Sequence, residues 1–259
     1  MPFTFSHPSA ILPAKWLPEK WVSITALIIG SITPDFEYFI RMKNLGLYGH
    51  TLGGLFWFDL PIGFALTFIY HSLVRDSLID NLPRFLRSRL NKFKGFDWNT
   101  YVKQHFPIVI ICLLVGIATH LLWDSFTHRT GYFVQRIPWL EENTEILDVQ
   151  HVRFYILQNI SSLLGMLLVI IAVLRIPKTE TVKKKSIFKY WAVAIFLTVA
   201  ITTLRTVFWY TYKPIDEIVV LNFSSAIPAV TIPEDIIMTG ISAALLSLII
   251  TPFIIRPKA

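Results

Sequence analysis

Charged residues and cysteine are scarce in this sequence. Asp, Glu, Lys and Arg make up 16% of the 259 residues, against roughly 25% in a typical soluble domain. Hydrophobic residues make up 54%. Such a composition excludes both a soluble globular protein and an intrinsically disordered one. We therefore expect residues 1–259 to form a single integral membrane domain.

The single cysteine, Cys112, lies within an apolar run. One cysteine excludes an intrachain disulfide and a thiolate metal cluster. The N-terminus lacks a cationic start followed by an apolar core and a small-residue cleavage site, so we expect no cleavable signal peptide. The net charge of +7 does not predict nucleic-acid binding, because the lysines and arginines collect in loops between apolar runs.

Five apolar runs are long enough to cross a bilayer as helices, which takes about 20 residues each. They are residues 51–74, 107–128, 155–175, 188–209 and 236–255. A sixth run, Trp21–Thr33, ends at Pro34 and is short for a full crossing. The predicted fold is all-α, a polytopic membrane helical bundle of five spans plus a short re-entrant or interfacial N-terminal helix.

Loop charges predict how the spans are oriented. Residues 75–106 and 175–189 are basic, the latter including the run Lys183–Lys185, and the tail Arg256–Lys258 is basic again. The alternate loops are acidic, with Glu141, Glu142, Glu145 and Asp148 in one and Asp216, Glu217, Glu234 and Asp235 in the other. Since basic loops stay in the cytoplasm, we expect residues 75–106 to form a cytoplasmic loop, helical and lying on the membrane surface.

The motif HLLWDSFTH is the strongest indication of chemistry. His120, Asp124 and His128 recur every four residues, so they fall within roughly an 80° arc of one helix face. Two imidazoles and a carboxylate in this arrangement suit zinc or another divalent transition metal. The alternative is an ordinary helix end that emerges among lipid headgroups, where polar residues are common.

Three further residues are candidate metal ligands, although each also has an ordinary interpretation. Asp35 follows Pro34 and could be a solvated turn carboxylate. His50 precedes the first span and could be an interfacial histidine. His7 could simply be exposed, but a shallow or re-entrant Trp21–Thr33 segment would bring it within roughly 10 Å of Asp35 and His120, as ligands of bridged metals require.

Asp59 lies inside the first span, where an ionised carboxylate is costly unless it is paired. Arg205, near the end of the fourth span, is at a suitable depth to be its counter-ion. Arg205 could instead contact an anionic phosphate or extend to the membrane interface. We do not assign Asp59 to the metal site, because in a straight helix it would face away from His50.

The motifs MPFTFSHP, PDFE, FDLP and HLLWDSFTH occur in that order from Met1 to His128, with a fainter match at LQNISSLLG. With these motifs the chain resembles a group of bacterial integral membrane proteins of unknown function. That group is similar to membrane-bound proteins regarded as metal-dependent hydrolases, and more distantly to the zinc-dependent bacterial phospholipases C. The resemblance implies a multi-pass protein of the bacterial inner membrane, and loop charge then places the site on the extracytoplasmic side.

Matched residue by residue, the resemblance implies that one metal-binding set is shared between the N-terminus and the later helix. Its members are His7, Asp35, His50, His120, Asp124 and His128. The soluble phospholipases add later histidine and glutamate ligands, whereas here only His151 and Glu141 to Glu145 follow, in no matching pattern. One or two divalent ions, zinc first, are therefore expected rather than three.

The resemblance, together with the candidate ligands, implies a membrane-embedded metal-dependent hydrolase that acts on phosphoesters of lipids or lipid-linked molecules. Asp35 or Asp124 would serve as the catalytic base when not bound to the metal. The alternative is a non-enzymatic membrane protein, either a structural metal-binding partner or a small transporter. A transporter would typically show paired discontinuous helices and internal repeats. The sequence contains one broken segment and no repeat.

Overall fold

The structure is a computed structural model that describes residues 3–146, 148–179, 186–211 and 234–255. Its α-helices are α1 (Ile24–Ile32), α2 (Phe36–Arg41), α3 (Leu60–Ile69), α4 (Arg75–Asp80), α5 (Arg84–Leu90), α6 (Trp98–Thr127), α7 (Pro138–Glu141), α8 (Arg153–Leu174), α9 (Phe188–Thr211) and α10 (Glu234–Ile255). The 3-10 segments are Thr4–Trp16, Glu19–Trp21, Thr33–Asp35 and Asn91–Phe93, and Leu55–Asp59 and Tyr70–Val74 are π-helical.

Five helices in the described ranges are long and apolar enough to cross a membrane. They are Leu55–Asp80, Trp98–Thr127, Arg153–Leu174, Phe188–Trp209 and Asp235–Ile255. The predicted all-α polytopic bundle is confirmed. Of the loop charges, Asp216, Glu217, Lys183–Lys185 and Arg256–Lys258 lie outside the described residues.

The first two spans extend further than the sequence predicted. Residues 75–80 continue the first helix, and α6 begins at Trp98, so residues 75–106 do not form one separate loop. The predicted span began at residue 107, but Pro107 lies inside α6, beside a kink at His105 with φ −128° and ψ 27°. A proline kink of this kind is tolerated because neighbouring groups satisfy the freed backbone.

The N-terminal 37 residues reverse direction beside α6. The 3-10 segment Thr4–Trp16 packs along α8 and α1, and α1 then runs parallel to α6. Ser23 at the start of α1 donates its backbone N–H to Cys112, midway along α6, and the carbonyl of Ser31 near its end lies beside His120. The segment 21–33 therefore belongs to a hairpin that returns to the end of the bundle at which it started.

Two glycines let α1 approach α6 closely. A Cβ on Gly30 would lie 2.4 Å from the Leu113 carbonyl oxygen, and a Cβ on Gly116 would lie 2.5 Å from that of Leu27. Small residues at such crossings allow the backbones of membrane helices to touch. This close packing fixes the height of α1, and hence of Asp35 just beyond it, against the last turns of α6.

Other elements enclose these three segments. α8 packs against the Thr4–Trp16 segment and α6, and α9 packs along α10, which in turn contacts α2. Between α7 and α8 the chain forms an antiparallel hairpin of β1 (Asn143–Ile146) and β2 (Val149–Val152). Of the acidic residues of this loop, Glu145 and Asp148 lie in the β-hairpin, whereas Glu141 ends α7 and Glu142 precedes β1. The sequence analysis did not predict the hairpin.

Candidate metal centre

The six candidate ligands lie together at the end of the bundle where α6 ends. They are His7, Asp35, His50, His120, Asp124 and His128. His7 comes from the N-terminal 3-10 segment, Asp35 from the turn after α1 and His50 from the loop before the first span. The other three lie on the last two turns of α6 and at its C-cap. Side chains distant in the sequence thus converge on one buried position.

Asp124 is at the centre of the cluster. Its Oδ2 lies 3.2 Å from Nε2 of His50, 3.2 Å from Nε2 of His120 and 3.4 Å from Nδ1 of His128. Its Oδ1 lies 3.6 Å from Nε2 of His7. Asp35 Oδ1 is 3.5 Å from Nε2 of His50 and 3.6 Å from Nε2 of His120.

These close approaches leave hydrogen-bonding capacity unused. Both carboxylate oxygens of Asp124 and both ring nitrogens of His7 are buried without a hydrogen-bond partner among the described residues. Ligands about 2.0–2.1 Å from a tetrahedral ion are separated by roughly 3.3 Å, close to the distances above. Buried polar atoms rarely remain unpaired, so this donor set fits a metal ion.

The tautomer of His120 leaves its inward nitrogen free to bind a metal. Its Nδ1 lies 2.8 Å from the carbonyl oxygen of Ser31, which can only accept, so Nδ1 carries the proton. Nε2 then presents a lone pair to the cluster, where it lies 3.3 Å from Nε2 of His50. Metal-bound histidines typically use their second nitrogen in this way.

The rings of His7 and His120 are stacked, with centroids 3.8 Å apart and planes 20° apart. Burial, together with the neighbouring imidazole of His120, lowers the pKa of His7 to about 3. His7 is therefore neutral at physiological pH, which is the form that binds metals. Its ligand atom and those of Asp35 and His120 all lie within 4.8 Å of one another, inside the 10 Å expected for a shallow N-terminal segment.

Asp35 is held by the N-terminal segment as well. The hydroxyl of Thr4 donates to its Oδ2 at 2.5 Å, which leaves Oδ1 facing His50 and His120. Burial raises the pKa of Asp35, but the imidazoles of His120 and His50 outweigh it and keep the pKa below its ordinary value. Asp35 is therefore an ionised, oriented acceptor rather than a solvated turn residue.

Glu37 positions the loop that carries His50. Its carboxylate accepts the backbone N–H groups of Leu47, Tyr48 and Gly49 at 2.8–2.9 Å and the Nε–H of Arg41 at 2.9 Å. Burial raises the pKa of Glu37, but these donors outweigh it and hold the pKa below its usual value. The buried charge of Glu37 thus fixes the loop up to Gly49, the residue before His50.

Two groups of three residues have a spacing suited to metal binding. One is His7, Asp35 and His120, and the other is His50, His120 and Asp124. His120 belongs to both, but its Nδ1 is occupied by Ser31, so its single free nitrogen can bind only one ion. His128 belongs to neither group, although its Nδ1 contacts Asp124.

The site is open at one side. The side chains of His50 and His128 are 23% and 25% exposed, whereas those of His7, Asp35 and His120 are at most 1% exposed. A structural zinc site is typically closed, while a catalytic one keeps a position open to substrate. Access through His50 and His128 allows a small group to reach the ligands.

The expected pair of Asp59 and Arg205 is not formed. Asp59 is buried, and neither carboxylate oxygen has a hydrogen-bond partner among the described residues. Arg205 instead lies over the ring of Trp209, 5.3 Å from its centroid, in a cleft that Lys43 and Asp235 also line. The prediction was wrong because depth alone does not show which way a helix faces.

Sequence analysis missed the groups that orient the ligands. Thr4 holds Asp35, the Ser31 carbonyl fixes the tautomer of His120, and Glu37 fixes the loop before His50. Glu37 could have been noticed, because a carboxylate in an apolar helix needs partners. No sequence pattern indicates the other two, which depend on how α1 and the N-terminal segment pack.

Residues 1–253 match the family described as Domain of unknown function (DUF4184). The chain belongs to this family. No curated protein and no solved structure matches it. Membership agrees with the resemblance to an uncharacterised family that the motifs indicated, while the similarity to hydrolases and phospholipases stays a prediction.

Proposed function

We propose that the chain is a membrane-embedded metal-dependent hydrolase that acts on phosphoesters of lipids or lipid-linked molecules at the extracytoplasmic face of a bacterial inner membrane. The observation that carries this proposal is the convergence of the buried His7 and His120 and the partly exposed His50 and His128 around Asp124. The proposal also draws on the resemblance to phospholipases C, whose ligand order the chain follows.

A single zinc ion is favoured over two. His50, His120 and Asp124 form the group closest to the opening, and His120 has only one nitrogen to offer. Three protein ligands with a fourth position open are typical of catalytic zinc. When bound, the ion would lower the pKa of a water and polarise a phosphoryl oxygen.

The remaining residues of the cluster supply acid–base chemistry. Asp35, ionised and oriented by Thr4, would accept the proton of the attacking water at Oδ1. Asp124 would hold His120, His50 and His7 in place while acting as a ligand. His7 stacks on His120 and, being neutral, would offer a ring nitrogen to a second, weakly bound ion.

A phosphoester substrate fits the surroundings of the opening. Arg129, which follows His128, is exposed at this end of the bundle. The cleft lined by Lys43 and Arg205 lies at the far end of α2 from Asp35. The six residues of α2 give this helix a length of about 9 Å. Cations near the headgroup level attract anionic phosphate, and the apolar helices keep the site at the membrane surface.

The test is metal content and hydrolysis measured on the same purified full-length protein. Zinc content is measured by elemental analysis without chelators, and hydrolysis is assayed with bis-p-nitrophenyl phosphate and with a short-chain phosphatidylcholine in mixed micelles. We expect about one zinc per chain and zinc-dependent release of phosphomonoester. Asp35→Asn should reduce turnover by 10²-fold or more, and His151→Gln, on the exposed β-hairpin, is the control.

Two outcomes would contradict the proposal in different ways. A wild-type protein that retains no divalent metal would remove the metal centre. A zinc-loaded protein that hydrolyses neither substrate, with Asp35→Asn indistinguishable from wild type, would favour the structural metal-binding alternative instead.

A further inference from the structure

Asp59 is a buried acid that no part of the site described so far uses. It is 0% exposed, and its two carboxylate oxygens have no hydrogen-bond partner among the described residues. It lies within the span Leu55–Asp80, where an unpaired carboxylate is costly and usually marks a functional position. Its presence therefore calls for a compensating group nearby.

The backbone at Asp59 is unusual too. Residues Leu55–Asp59 form a π-helical stretch, and α3 with Pro61 follows directly. A π turn rotates the side chains after it relative to a straight helix, and such turns are frequent at functional sites. The straight-helix argument that separated Asp59 from His50 does not apply, because His50 lies in the loop before the span and Asp59 ends the π-helical stretch.

The carboxyl of Asp59 lies beside the chain segments that carry two ligands. A Cβ built on Gly49, the residue before His50, would lie 3.2 Å from its Oδ1 and 2.5 Å from the carbonyl oxygen of Pro34. Only glycine fits between these groups. The carboxyl of Asp59 therefore lies against the residue that precedes His50, at the edge of the metal centre.

His50 offers the matching unpaired group. Its Nε2 faces Asp35 and Asp124, while its Nδ1 is buried without a hydrogen-bond partner among the described residues. A neutral imidazole that binds a metal through Nε2 carries its proton on Nδ1 and needs an acceptor there. Asp59 is thus an acceptor without a donor that lies beside Gly49, and the next residue, His50, has a donor without an acceptor among the described residues. The two side chains are not hydrogen-bonded to each other in the structure.

We infer that Asp59 is a positioning residue of the metal centre, whose carboxylate accepts the Nδ1–H of His50 when Nε2 of His50 holds the ion. This inference rests on the proposed function. Carboxylates in this role fix the ring orientation and raise the basicity of the ligand, and their loss typically weakens metal binding 10- to 100-fold. Asp59 acts through His50 and contacts neither substrate nor metal.

If Asp59 is a positioning residue, its substitution should lower metal affinity without lowering the melting temperature of the apo protein. A purely structural role would lower both. In the metal-free protein Asp59 is an unpaired buried acid, so Asp59→Asn, which has nearly the same shape, should leave the melting temperature unchanged or raise it. In the metal-bound protein the same substitution removes the acceptor that orients His50, so metal affinity should fall.

The experiment uses the full-length protein in detergent micelles with Co²⁺ and Zn²⁺ as probes. Apo protein is titrated with Co²⁺, and binding is monitored through the d–d absorption of the bound ion. Zn²⁺ affinity is obtained by competition with Co²⁺. The melting temperature of each apo variant is measured in parallel. The variants are Asp59→Asn and the smaller Asp59→Ser, in case the first does not insert. Asp76→Asn, at the other end of the same span and paired with Arg75, is the matched control.

We expect a 10- to 100-fold loss of Co²⁺ and Zn²⁺ affinity and an altered Co²⁺ spectrum in both Asp59 variants, with an undiminished apo melting temperature in Asp59→Asn. Asp76→Asn should bind within two-fold of wild type. Wild-type affinity in the Asp59 variants would overturn the inference, as would affinity and apo melting temperature falling together in Asp59→Asn. If wild type takes up neither ion, the metal centre itself fails.

Discussion

The imidazole of His7 stacks on that of His120 at 3.8 Å, so the N-terminal segment forms one wall of the site at the end of α6. Two imidazolium rings at this distance would repel each other, and burial together with this repulsion lowers the pKa of His7. The stack therefore requires at least one neutral ring. A bound metal ion imposes the same condition, since it binds only neutral imidazole.

His7→Ala should weaken zinc binding without preventing membrane insertion. The substitution removes a ring that lies against His120 and Trp123, and the spans do not depend on it. We expect at least ten-fold lower zinc affinity by competition titration, with unchanged extraction and gel-filtration behaviour. If zinc affinity were unchanged, the N-terminal segment would be a cover over the site and not a part of it.

His120→Ala and Asp124→Ala should each abolish zinc retention. Both residues belong to the ligand group nearest the opening, and Asp124 also contacts His7 and His128. Elemental analysis after gel filtration checks this, with His151→Ala as the control because His151 is exposed on β2. Full zinc content in both variants would show that the ion is held elsewhere.

Glu37→Gln should destabilise the loop that carries His50. The buried carboxylate accepts three backbone N–H groups and one from Arg41, and hydrogen bonds to a charged group contribute about 1.5–3 kcal/mol each at most. We expect the free energy of unfolding to fall by about 2 kcal/mol in chemical denaturation, together with weaker zinc binding. Glu141→Gln, on the exposed end of α7, should change neither.

Gly30→Ala should disrupt the contact between α1 and α6, whereas Gly240→Ala should not. The new Cβ would lie 2.4 Å from the Leu113 carbonyl in the first case, while nothing lies within 4 Å in the second. Overpacking lowers the free energy of unfolding by about 1–3 kcal/mol. Replacing an uncrowded helical glycine by alanine raises it by about 0.5–1 kcal/mol. Melting temperatures should shift in opposite directions, and equal shifts would contradict the close packing of the hairpin.

The predicted orientation can be checked by cysteine labelling. Cys112 is buried, so introduced cysteines should react without background. Glu142→Cys, next to the β-hairpin, should react with an impermeant maleimide from outside intact cells, and Lys184→Cys only after the cells are opened. The reverse pattern would place the site in the cytoplasm and leave its composition unchanged.

The spans could be predicted from the sequence because each is a long apolar run whose backbone hydrogen bonds are internal. The path of residues 3–35 could not be predicted in the same way. Pro8 and Pro13 lie in a 3-10 segment, which gives no amphipathic period to read. The reversal is set by tertiary packing, above all by Gly30 against the backbone of α6.

The candidate ligands were found because carboxylates and imidazoles at apolar helix ends are costly unless they are used. The i, i+4 spacing of His120 and Asp124 placed them on one face before any fold was considered. Asp59 was assigned to the wrong partner because its direction depends on the π-helical stretch that precedes it. Backbone irregularities of this kind leave no periodic signature.

The hairpin of residues 3–35 also sets an order of assembly during biosynthesis. His7 and Asp35 are made first, while His120 in the last turns of α6 follows 85 residues after Asp35, which takes roughly 4–17 s at ordinary rates of translation. Until then the Ser31 carbonyl lacks its donor, the Nδ1–H of His120, and Gly30 lacks the backbone of Leu113 against which it packs. The contacts that hold the hairpin against α6 can therefore form only after the second span has been synthesised.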